Sequence, residues 1–415
     1  MEKFLQRRTV KPTSQALEVS HPILAIAMTR TTTALVVPEL NGKFQLREVQ
    51  LDDMQPDEVL VEIHASGLCH TDLSFATGVL PCEPNAVLGH EGAGVVLAAG
   101  SAVQHVSAGD KVLLSFSYCE ACAACTSGHP AYCHGFNARN FGGRRPDGTP
   151  SLFASASVPA PGEQAGAGEG TAGKGLFSAF FGQSSFARHT LAHRSTVVRV
   201  PPETDLALYA PLGCGMQTGA GAILNSLGVR PGSSVAVFGV GSVGMAAVMA
   251  AAKIAGAGVV VAVDLQQSRL ELAMKLGATH AVLGSEKDVV GRIREICPPL
   301  GVDYAVDCTG VPAVIRTMID SLGTRGRGAT VGAPGFGKCV SVDVMEHLTY
   351  GKEYVGCVEG DSLPEKFIPY LMDVHRKGQF PLEEFVRYYD FQDHEKAIED
   401  THSGEVIKAV LRWKS

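Results

Sequence analysis

The sequence predicts an α/β protein with two domains: a β-rich, barrel-like domain and a doubly wound parallel sheet. The chain has 415 residues, which is more than a single domain usually contains. From Ala34 onward, short strand-like runs alternate with Gly/Pro turns. After Pro231, buried strands alternate with helical runs instead, which is typical of a parallel sheet with helices on both faces.

The composition is that of a globular protein without a strongly charged surface. The chain is 45% hydrophobic and 19% charged, with a formal net charge of −7. This mild acidity gives no reason to expect a nucleic acid or an anionic membrane as a partner. Apolar runs such as 245–252 are too short to span a bilayer. We therefore expect a cytoplasmic protein with a small-molecule ligand.

Residues 1–33 are predicted to form an N-terminal extension. They lack the apolar core and cleavage site of a secretory signal peptide. Basic residues among many Ser and Thr are compatible with a mitochondrial transit peptide, and a poorly ordered extension is the alternative. The 11 cysteines are an odd number. Without a secretion signal, they favour metal binding in a reducing compartment over a disulfide framework.

The first domain is predicted to span residues 34–210. The run 58–64 alternates apolar and polar residues for much of its length, as a half-buried strand does. The runs 87–96 and 109–114 add further strands. The loops between these strands carry a Cys-His-Thr-Asp stretch at 69–72 and a Gly-His-Glu stretch at 89–91.

Cys69, His90 and Cys214 are candidate ligands of one metal ion. Two thiolates and one imidazole suit zinc with a fourth position open for water or substrate, which is the ligand set of a catalytic site. Any one of these residues alone is more often a packed core residue. The interpretation therefore depends on the motifs in the rest of the chain.

Four further cysteines predict a second, closed metal site in the lobe 119–133. The spacing C-x2-C-x2-C-x7-C lets one compact loop wrap a tetrahedral ion, and a four-cysteine zinc site is structural. An iron–sulfur cluster is the alternative, but the ferredoxin run has three residues before its last cysteine and a proline after it. Here Pro130 precedes the last cysteine, which favours zinc. The ligands would be Cys119, Cys122, Cys125 and Cys133, giving two zinc ions per chain.

Residues 134–185 are predicted to form a long polar and glycine-rich excursion. Its middle, at 159–173, has little to bury and is predicted to be a mobile surface loop. The second domain is placed at 211–357. The chain after it, 358–415, is predicted to return as helix and strand to the first domain.

The run 234–264 predicts a dinucleotide-binding unit. A buried strand at 234–238 is followed by a G-x-G-x-x-G turn, a helical run and a second strand that ends at Asp264. The turn alone is a weak motif, but the strand, the helix and an acid 20 residues after the last glycine are what a dinucleotide fold requires. The residues that would approach the pyrophosphate are Gly239, Gly241, Ser242, Val243 and Gly244.

Asp264 predicts which dinucleotide is bound. Its carboxylate can accept hydrogen bonds from the adenosine ribose and would repel a 2′-phosphate, so NAD is favoured over NADP. Arg269, five residues further on, leaves the phosphate as an alternative.

In this order, the motifs resemble those of the zinc-dependent medium-chain alcohol dehydrogenases over roughly residues 34–413. The runs 140–148, 180–186, 213–219 and 356–361 are similar to the aryl-alcohol (benzyl alcohol) dehydrogenase subgroup of that family. The resemblance implies a GroES-like catalytic domain joined to a Rossmann domain. The segments 1–33 and 155–175 depart from the subgroup.

The resemblance also implies roles for residues around the first metal. Glu91 would lie behind the zinc, and Asp72 would orient the imidazole of His90. Thr71 would hydrogen-bond the substrate oxygen and begin a proton relay. Ser74 stands where many family members have a histidine at the outer end of that relay.

Six residues would contact the cofactor according to the same resemblance. Two would meet the pyrophosphate, one would pack near the nicotinamide, and three would offer backbone groups to its carboxamide. These are, in that order, His70 and Lys408, then Thr218, then Val331, Cys357 and Glu359.

The implied activity is hydride transfer between NAD(H) and a primary aromatic or allylic alcohol or aldehyde. The alternatives are a dehydrogenase of S-(hydroxymethyl)glutathione or of a polyol, and a binding protein that has lost the chemistry. Intact Cys69, Thr71, His90 and Cys214 argue against the last. At least one of Phe116, Phe180 and Phe181 would line a flat substrate pocket, with ordinary core packing as the alternative.

The family also implies a homo-oligomer; a dimer is favoured because the excursion 134–185 resembles that of dimeric relatives, and a tetramer is the alternative. The strand-like runs 339–342 and 354–355 are the candidate contact, because family members commonly pair the edges of their cofactor-domain sheets.

Overall fold

The computed structural model describes residues 31–155 and 173–414. The predicted extension 1–33 lies outside the described residues, apart from its last three positions, which begin the first strand. The predicted surface loop 159–173 also lies outside them, apart from Gly173. Within the described part of the chain, no helix has both the length and the apolar character needed to cross a membrane.

The first part of the chain is rich in strands, as predicted. Its helices are short: α1 (His70–Ala76), α2 (Ala123–Thr126) and α3 (Phe136–Phe141). Its strands are β1 (Thr31–Val37), β2 (Gln45–Leu51), β3 (Glu58–Gly67), β4 (Ala86–Val87), β5 (Gly92–Ala99), β6 (Lys111–Leu114), β7 (Leu152–Ala154), β8 (His189–His193) and β9 (Val197–Val200).

The middle of the chain alternates strands and helices. Its helices are α4 (Leu206–Tyr209), α5 (Gly215–Gly221), α6 (Ser242–Met249), α7 (Gln267–Leu276), α8 (Val289–Ile296), α9 (Pro312–Asp320) and α10 (Val344–Tyr350). Its strands are β10 (Ser234–Phe238), β11 (Val259–Asp264), β12 (His280–Leu283), β13 (Val302–Asp307), β14 (Leu322–Thr330) and β15 (Glu353–Gly356).

These six strands form one parallel sheet in the order β12-β11-β10-β13-β14-β15. This is the order of a doubly wound dinucleotide fold, in which the direction of winding reverses beside the first strand. That first strand is β10, whose residues are almost all buried because it lies at the centre of the sheet. The fold class predicted from the sequence is confirmed.

The end of the chain returns to the first sheet. Its elements are α11 (Pro364–Arg376), β16 (Val386–Asp390), α12 (His394–Ser403) and β17 (Lys408–Arg412). β17 pairs antiparallel with β3, and the resulting sheet runs β16-β17-β3-β5-β6-β9 with β8 also on β3. A second sheet, β4-β1-β2-β7, packs its buried residues into a separate apolar cluster.

One strand prediction is wrong. The run 339–342 forms no strand, although Tyr354 and Val355 lie in β15 as expected. The apolar alternation at 339–342 is only four residues long and follows two glycines with positive φ, Gly335 and Gly337. In the described residues, β15 and not this run pairs with β14.

Candidate metal centres and cofactor cleft

Three distant parts of the chain meet at the first candidate metal centre. Cys69 precedes α1, His90 and Glu91 lie between β4 and β5, and Cys214 precedes α5. One ligand atom from each of these four residues lies within 4.8 Å of the other three. Both cysteines occupy helix N-caps, where the positive end of the helix dipole favours a thiolate. The structure therefore brings the predicted catalytic ligands together.

Asp72 holds the imidazole of His90 in one orientation. Its Oδ1 lies 2.9 Å from Nδ1 of His90 and accepts the Gly89 amide at 3.0 Å, while Oδ2 accepts the Cys69 amide at 2.9 Å. Because Nδ1 donates to this carboxylate, Nε2 is the ring atom left to bind a metal. Nε2 is buried and has no hydrogen-bond partner. An imidazole nitrogen without a hydrogen-bond partner, close to the sulfurs of Cys69 and Cys214, fits a zinc site.

The two buried thiols of this centre influence each other strongly. The hydrogen bond from Cys214 stabilises the Cys69 thiolate and, with help from His90, lowers the pKa of Cys69 well below its ordinary value, although burial opposes it. The same contact, with burial, raises the pKa of Cys214. A bound dication would deprotonate both thiols, because coordination stabilises the thiolate.

Lys408 pairs with Glu91 behind this centre. Its Nζ lies 2.7 Å from Oε1 and 2.6 Å from Oε2 of Glu91 and donates to the Leu68 carbonyl at 3.1 Å. Burial raises the pKa of Glu91 to about 7, and the charge of Lys408 opposes that shift. Lys408 was expected at the pyrophosphate, but here its ammonium faces the carboxylate behind the metal ligands and does not line the cofactor cleft.

Glu359 also reaches this centre, through its side chain. It was expected to offer backbone groups to the cofactor. Its Oε1 lies 3.5 Å from Sγ of Cys214, and its Oε2 accepts from Nε2 of Gln217 at 3.3 Å. Burial raises the pKa of Glu359 to about 7. No sequence motif pointed to this carboxyl group, because its neighbour Cys214 lies in a remote part of the chain.

The second candidate metal centre is the cysteine lobe. The sulfurs of Cys119, Cys122, Cys125 and Cys133 lie within 4.8 Å of one another. Backbone amides point at them: Cys122 N lies 3.3 Å from Sγ of Cys119, and His134 N lies 3.4 Å from Sγ of Cys122. The His134 amide is the main reason that the pKa of Cys122 falls to about 6. Four convergent sulfurs with amide donors fit a closed zinc site.

A cleft of about 750 Å³ runs between the sheet of β10–β15 and the segment 68–80, which contains α1. Twelve of the predicted site residues contribute to its lining. They are Cys69, His70, Thr71, Ser74, Gly239, Gly241, Ser242, Val243, Gly244, Asp264, Arg269 and Val331.

The glycine-rich turn leaves room for a ligand at the start of α6. A Cβ at Gly241 would meet nothing within 4 Å, so the backbone there is open toward the cleft. A Cβ at Gly244 would lie 2.0 Å from the carbonyl oxygen of Gly239, so this glycine is needed for α6 to pack on β10. An open turn at a helix N-terminus suits a pyrophosphate.

Asp264 ends β11 at the edge of this cleft. Its Oδ2 accepts the Val240 amide at 2.8 Å, and its Oδ1 accepts the Gln266 amide at 2.9 Å. Nη1 of Arg269 lies 4.0 Å from Oδ2. The carboxylate thus supports the glycine turn as well as facing the cleft, a second role that the motif alone does not reveal.

Some predicted cofactor residues do not line the cleft, and others were missed. Thr218 and Cys357 are buried outside its lining, as are Glu359 and Lys408. Sequence reasoning missed lining residues that follow the carboxyl ends of β12, β13 and β14. Strand order would have found them, since those ends gather at one edge of a parallel sheet. They include Glu286, Lys287, Asp288, Thr309 and Gly332.

The proposed relay residues lie where the cleft meets the metal ligands. Thr71 and Ser74 both line the cleft, and Oγ1 of Thr71 lies 3.7 Å from Sγ of Cys69. Ser74 is 9% exposed, so it is not an ordinary surface residue.

The three phenylalanines are buried near the first centre. The ring of Phe181 stacks on His90 with centroids 4.4 Å apart, and Phe180 meets the same imidazole edge-on at 5.5 Å. Phe116 is also fully buried. None of the three contributes to the lining of the 750 Å³ cleft, so they pack as core, two of them against the candidate metal ligand His90.

Two family models match the chain. The alcohol dehydrogenase GroES-like domain matches residues 55–202, and the zinc-binding dehydrogenase domain matches residues 242–375. The geraniol dehydrogenase of Castellaniella defragrans is 38% identical over 380 residues, covering 91% of this chain and 96% of that protein.

Two solved structures share the fold over nearly the whole chain. An alcohol dehydrogenase zinc-binding domain protein from Burkholderia ambifaria is 46% identical, with a TM-score of 0.86, covering 93% of this chain and 100% of that one. The benzyl alcohol dehydrogenase of Acinetobacter calcoaceticus is 39% identical, with a TM-score of 0.85, covering 92% and 99%.

Proposed function

The chain belongs to the zinc-dependent alcohol dehydrogenase family and is an NAD-linked oxidoreductase of alcohols, and we propose that it acts on primary aromatic or allylic alcohols and their aldehydes. The observation that carries this proposal is the cleft wall at 68–80, where the apolar side chains of Leu68 and Leu80 lie in the same lining as Thr71 and Ser74. Geraniol and benzyl alcohol, which name two relatives, both carry unsaturation beside the reacting carbon.

We propose that Cys69, His90 and Cys214 hold a catalytic zinc and that the lobe holds a structural one. Zinc at the first centre supplies a Lewis acid that makes the substrate hydroxyl more acidic. Asp72 fixes the imidazole that binds it. Two ions per chain follow from one open and one closed donor set.

In the proposed mechanism, Thr71 takes part directly in proton transfer. Its hydroxyl can accept the proton of the alcohol and donate its own toward Ser74, since a hydroxyl both donates and accepts. The cleft residues hold the nicotinamide ring and the substrate carbon in register and exclude water. Reduction of an aldehyde follows the same path in reverse.

We further propose that NAD is preferred to NADP. The Asp264 carboxylate faces the cleft at the end of β11, where it repels a 2′-phosphate and can accept from ribose hydroxyls. Arg269 lies near that carboxylate and balances its charge rather than leaving a free cation for a phosphate.

The proposed assembly is a homodimer through the free edge of β15. Within the described residues, β15 pairs only with β14, so its other edge has unpaired backbone groups. Apolar side chains are exposed beside it on α10, where Val344 and Leu348 are 72% and 71% exposed. A second copy of the same edge would cover both features. Sedimentation showing only monomer at micromolar concentration would contradict the dimer.

The substrate proposal is tested by NAD-coupled turnover on a panel of alcohols. Benzyl alcohol and geraniol are expected to give kcat/KM values at least about 100-fold above that of ethanol. Each apolar group of the substrate that fits an apolar pocket contributes ~1–3 kcal/mol to transition-state binding. Sorbitol and S-(hydroxymethyl)glutathione test the polyol and glutathione alternatives. Ethanol turned over as efficiently as benzyl alcohol would contradict the proposal.

A further inference from the structure

Gln183 is a fully buried amide side chain beside the first candidate metal centre. Its Nε2 donates to the His90 carbonyl at 2.9 Å and to the Ser115 carbonyl at 2.7 Å. Its Oε1 accepts the Gly92 amide at 3.2 Å. Both amide hydrogens and the carbonyl oxygen therefore have backbone partners. Through them, this one side chain holds the backbone on both sides of Glu91.

The next two residues, Ser184 and Ser185, are also fully buried and hold neighbouring backbone. Oγ of Ser184 donates to the Val87 carbonyl at 2.7 Å, and the Ser185 amide donates to the Gly89 carbonyl at 2.9 Å. Oγ of Ser185 lies 2.8 Å from Oγ of Ser66, near the end of β3. These contacts connect one run with the segment that carries the imidazole and with the strand that leads to the first thiol.

Ser115 extends the connection to the second cysteine. Its Oγ donates at 2.7 Å to the carbonyl of Gly213, one residue before Cys214. Nε2 of Gln217 lies 2.7 Å from that Oγ and 2.6 Å from the same carbonyl oxygen. Neutral side chains thus join the backbone just before the second thiol to the backbone that carries the imidazole.

Two glycines let the chain segments of this network approach closely. A Cβ at Gly92 would lie 2.9 Å from Oε1 of Gln183, and a Cβ at Gly213 would lie 2.1 Å from the carbonyl oxygen of Leu114. Ser184 has a φ of 54°, in the left-handed region that is unfavourable for a residue with a side chain. Such a conformation persists only where the surrounding contacts impose it. The contacts of the network therefore enforce one backbone geometry.

The two glutamines come from different parts of the sequence. Gln183 lies in the run 180–186 and Gln217 in the run 213–219, and both runs resemble those of aryl-alcohol dehydrogenases. Neither glutamine belongs to the group whose ligand atoms converge within 4.8 Å. Their amides act on the backbone that carries the ligands and not on a metal.

We propose that Gln183 is a positioning residue of the first metal centre, which fixes the backbone of His90 relative to that of Cys214. This inference rests on the proposed ligand set of Cys69, His90 and Cys214. Residues that hold metal ligands from behind commonly change metal affinity ten- to a hundredfold when they are replaced. A metal site also requires ligand distances within about 0.2 Å of their normal values. Loss of the network should therefore weaken metal binding without changing any charge.

The test compares Gln183→Met with a matched variant, Asn140→Leu. Asn140 is likewise fully buried, and its amide group donates to the carbonyls of Ser117 and Phe136. Its carbonyl oxygen accepts the Ser117 amide. Each substitution approximately keeps the size of the side chain and leaves three backbone groups without their partner. Both should lower the unfolding midpoint, because unpaired buried polar groups are costly.

The measurement that separates the two variants is zinc release from the loaded protein to a colorimetric chelator. Gln183→Met should release the zinc of the first centre about 10- to 100-fold faster than wild type. Asn140→Leu should release it at the wild-type rate. Cys69→Ala, introduced into each background, identifies the release phase that belongs to the lobe.

The visible spectrum of the cobalt(II)-loaded proteins reports the geometry of the first centre directly. The spectrum of each Cys69→Ala background is subtracted to remove the contribution of the lobe. The remaining absorption should shift in Gln183→Met and stay unchanged in Asn140→Leu, since it depends on the arrangement of the ligands. An unchanged release rate or spectrum in Gln183→Met would overturn the inference, as would equal acceleration in Asn140→Leu.

An error in the ligand assignment would give a different result. Zinc release from wild-type protein that Cys69→Ala leaves unchanged would contradict the proposed metal centre itself. If Gln183→Met did not fold, Ser115→Ala would replace it, because that variant removes only the hydroxyl that reaches Gly213. Ser115→Ala should release the zinc of the first centre faster than Asn140→Leu. A rate no higher than that of Asn140→Leu would contradict the inference.

Discussion

The two candidate metal centres are built in opposite ways. The lobe takes its four sulfurs from one stretch, 119–133, and three of its four cysteines are partly exposed. The catalytic centre draws its ligands from residues as far apart as Cys69 and Cys214, and its imidazole is fully buried. As a zinc site, the lobe would be closed by four like ligands, whereas the first centre would keep a position open toward the cleft that Cys69 lines.

The difference shows how each site obtains its precision. In the lobe, short-range chain geometry and backbone amides are sufficient to place the sulfurs. In the other centre, side chains are held by residues from other parts of the chain. Asp72 orients His90, Lys408 holds Glu91, and Glu359 contacts Cys214. Substitutions at the two centres should therefore affect different properties.

The largest expected contrast compares Cys69→Ala with Cys122→Ala. Cys69→Ala should reduce kcat by at least about 10⁴-fold, as loss of a central catalytic group does, while the fold survives. Cys122→Ala should chiefly lower the free energy of unfolding, because the free energy of metal binding by the lobe contributes to the stability of the fold. Turnover, calorimetry and elemental analysis check both. A single zinc in active, fully loaded protein would contradict the two-site comparison.

Asp72→Asn tests whether orientation of His90 matters as much as ligation. The amide keeps the shape of the side chain but loses the charge that fixes the imidazole. We expect zinc affinity at the catalytic centre to fall about 10- to 100-fold, with the lobe zinc retained. Competition with a chelator measures the affinity. Equal weakening at both centres would show that the two sites are not independent.

Asp264→Ala sharpens the comparison by changing the cleft and neither metal centre. The ratio of kcat/KM for NAD to kcat/KM for NADP should fall by about tenfold or more. Both the ribose contacts and the repulsion of a phosphate are lost in this variant. Ratios of kcat/KM for the two cofactors measure the effect, and zinc content should stay at the wild-type value. Equal or better wild-type kcat/KM with NADP would refute the assignment.

The smallest effect is expected at the outer end of the proton relay. Ser74→Ala should slow turnover modestly, and Thr71→Ala should be far more harmful because Thr71 contacts the substrate oxygen directly in the proposed mechanism. Ser74→His should add an ionisation near pH 6 to 7 to the kcat profile, about the unperturbed value for histidine. An unchanged profile together with full activity of Ser74→Ala would show that the proton leaves by another route.

The sequence alone predicted the fold class and both candidate sets of metal ligands. Strand periodicity, the glycine-rich turn at 239–244 and the cysteine spacing are local patterns, and each requires a particular local geometry. The order of these motifs was specific enough to indicate the family. The role of Asp72 beside the first metal centre was also predicted, because Asp72 belongs to the same short stretch as Cys69.

Only the tertiary structure decided which buried charges face one another. Lys408 was expected at the pyrophosphate and instead neutralises Glu91, while the side chain of Glu359 turns inward onto Cys214. It also showed that Phe181 packs against His90 and that 339–342 has no strand partner. The physical reason is that these contacts join residues far apart in the chain. Burial and pairing in such contacts depend on how the sheets and loops pack, which no local pattern encodes.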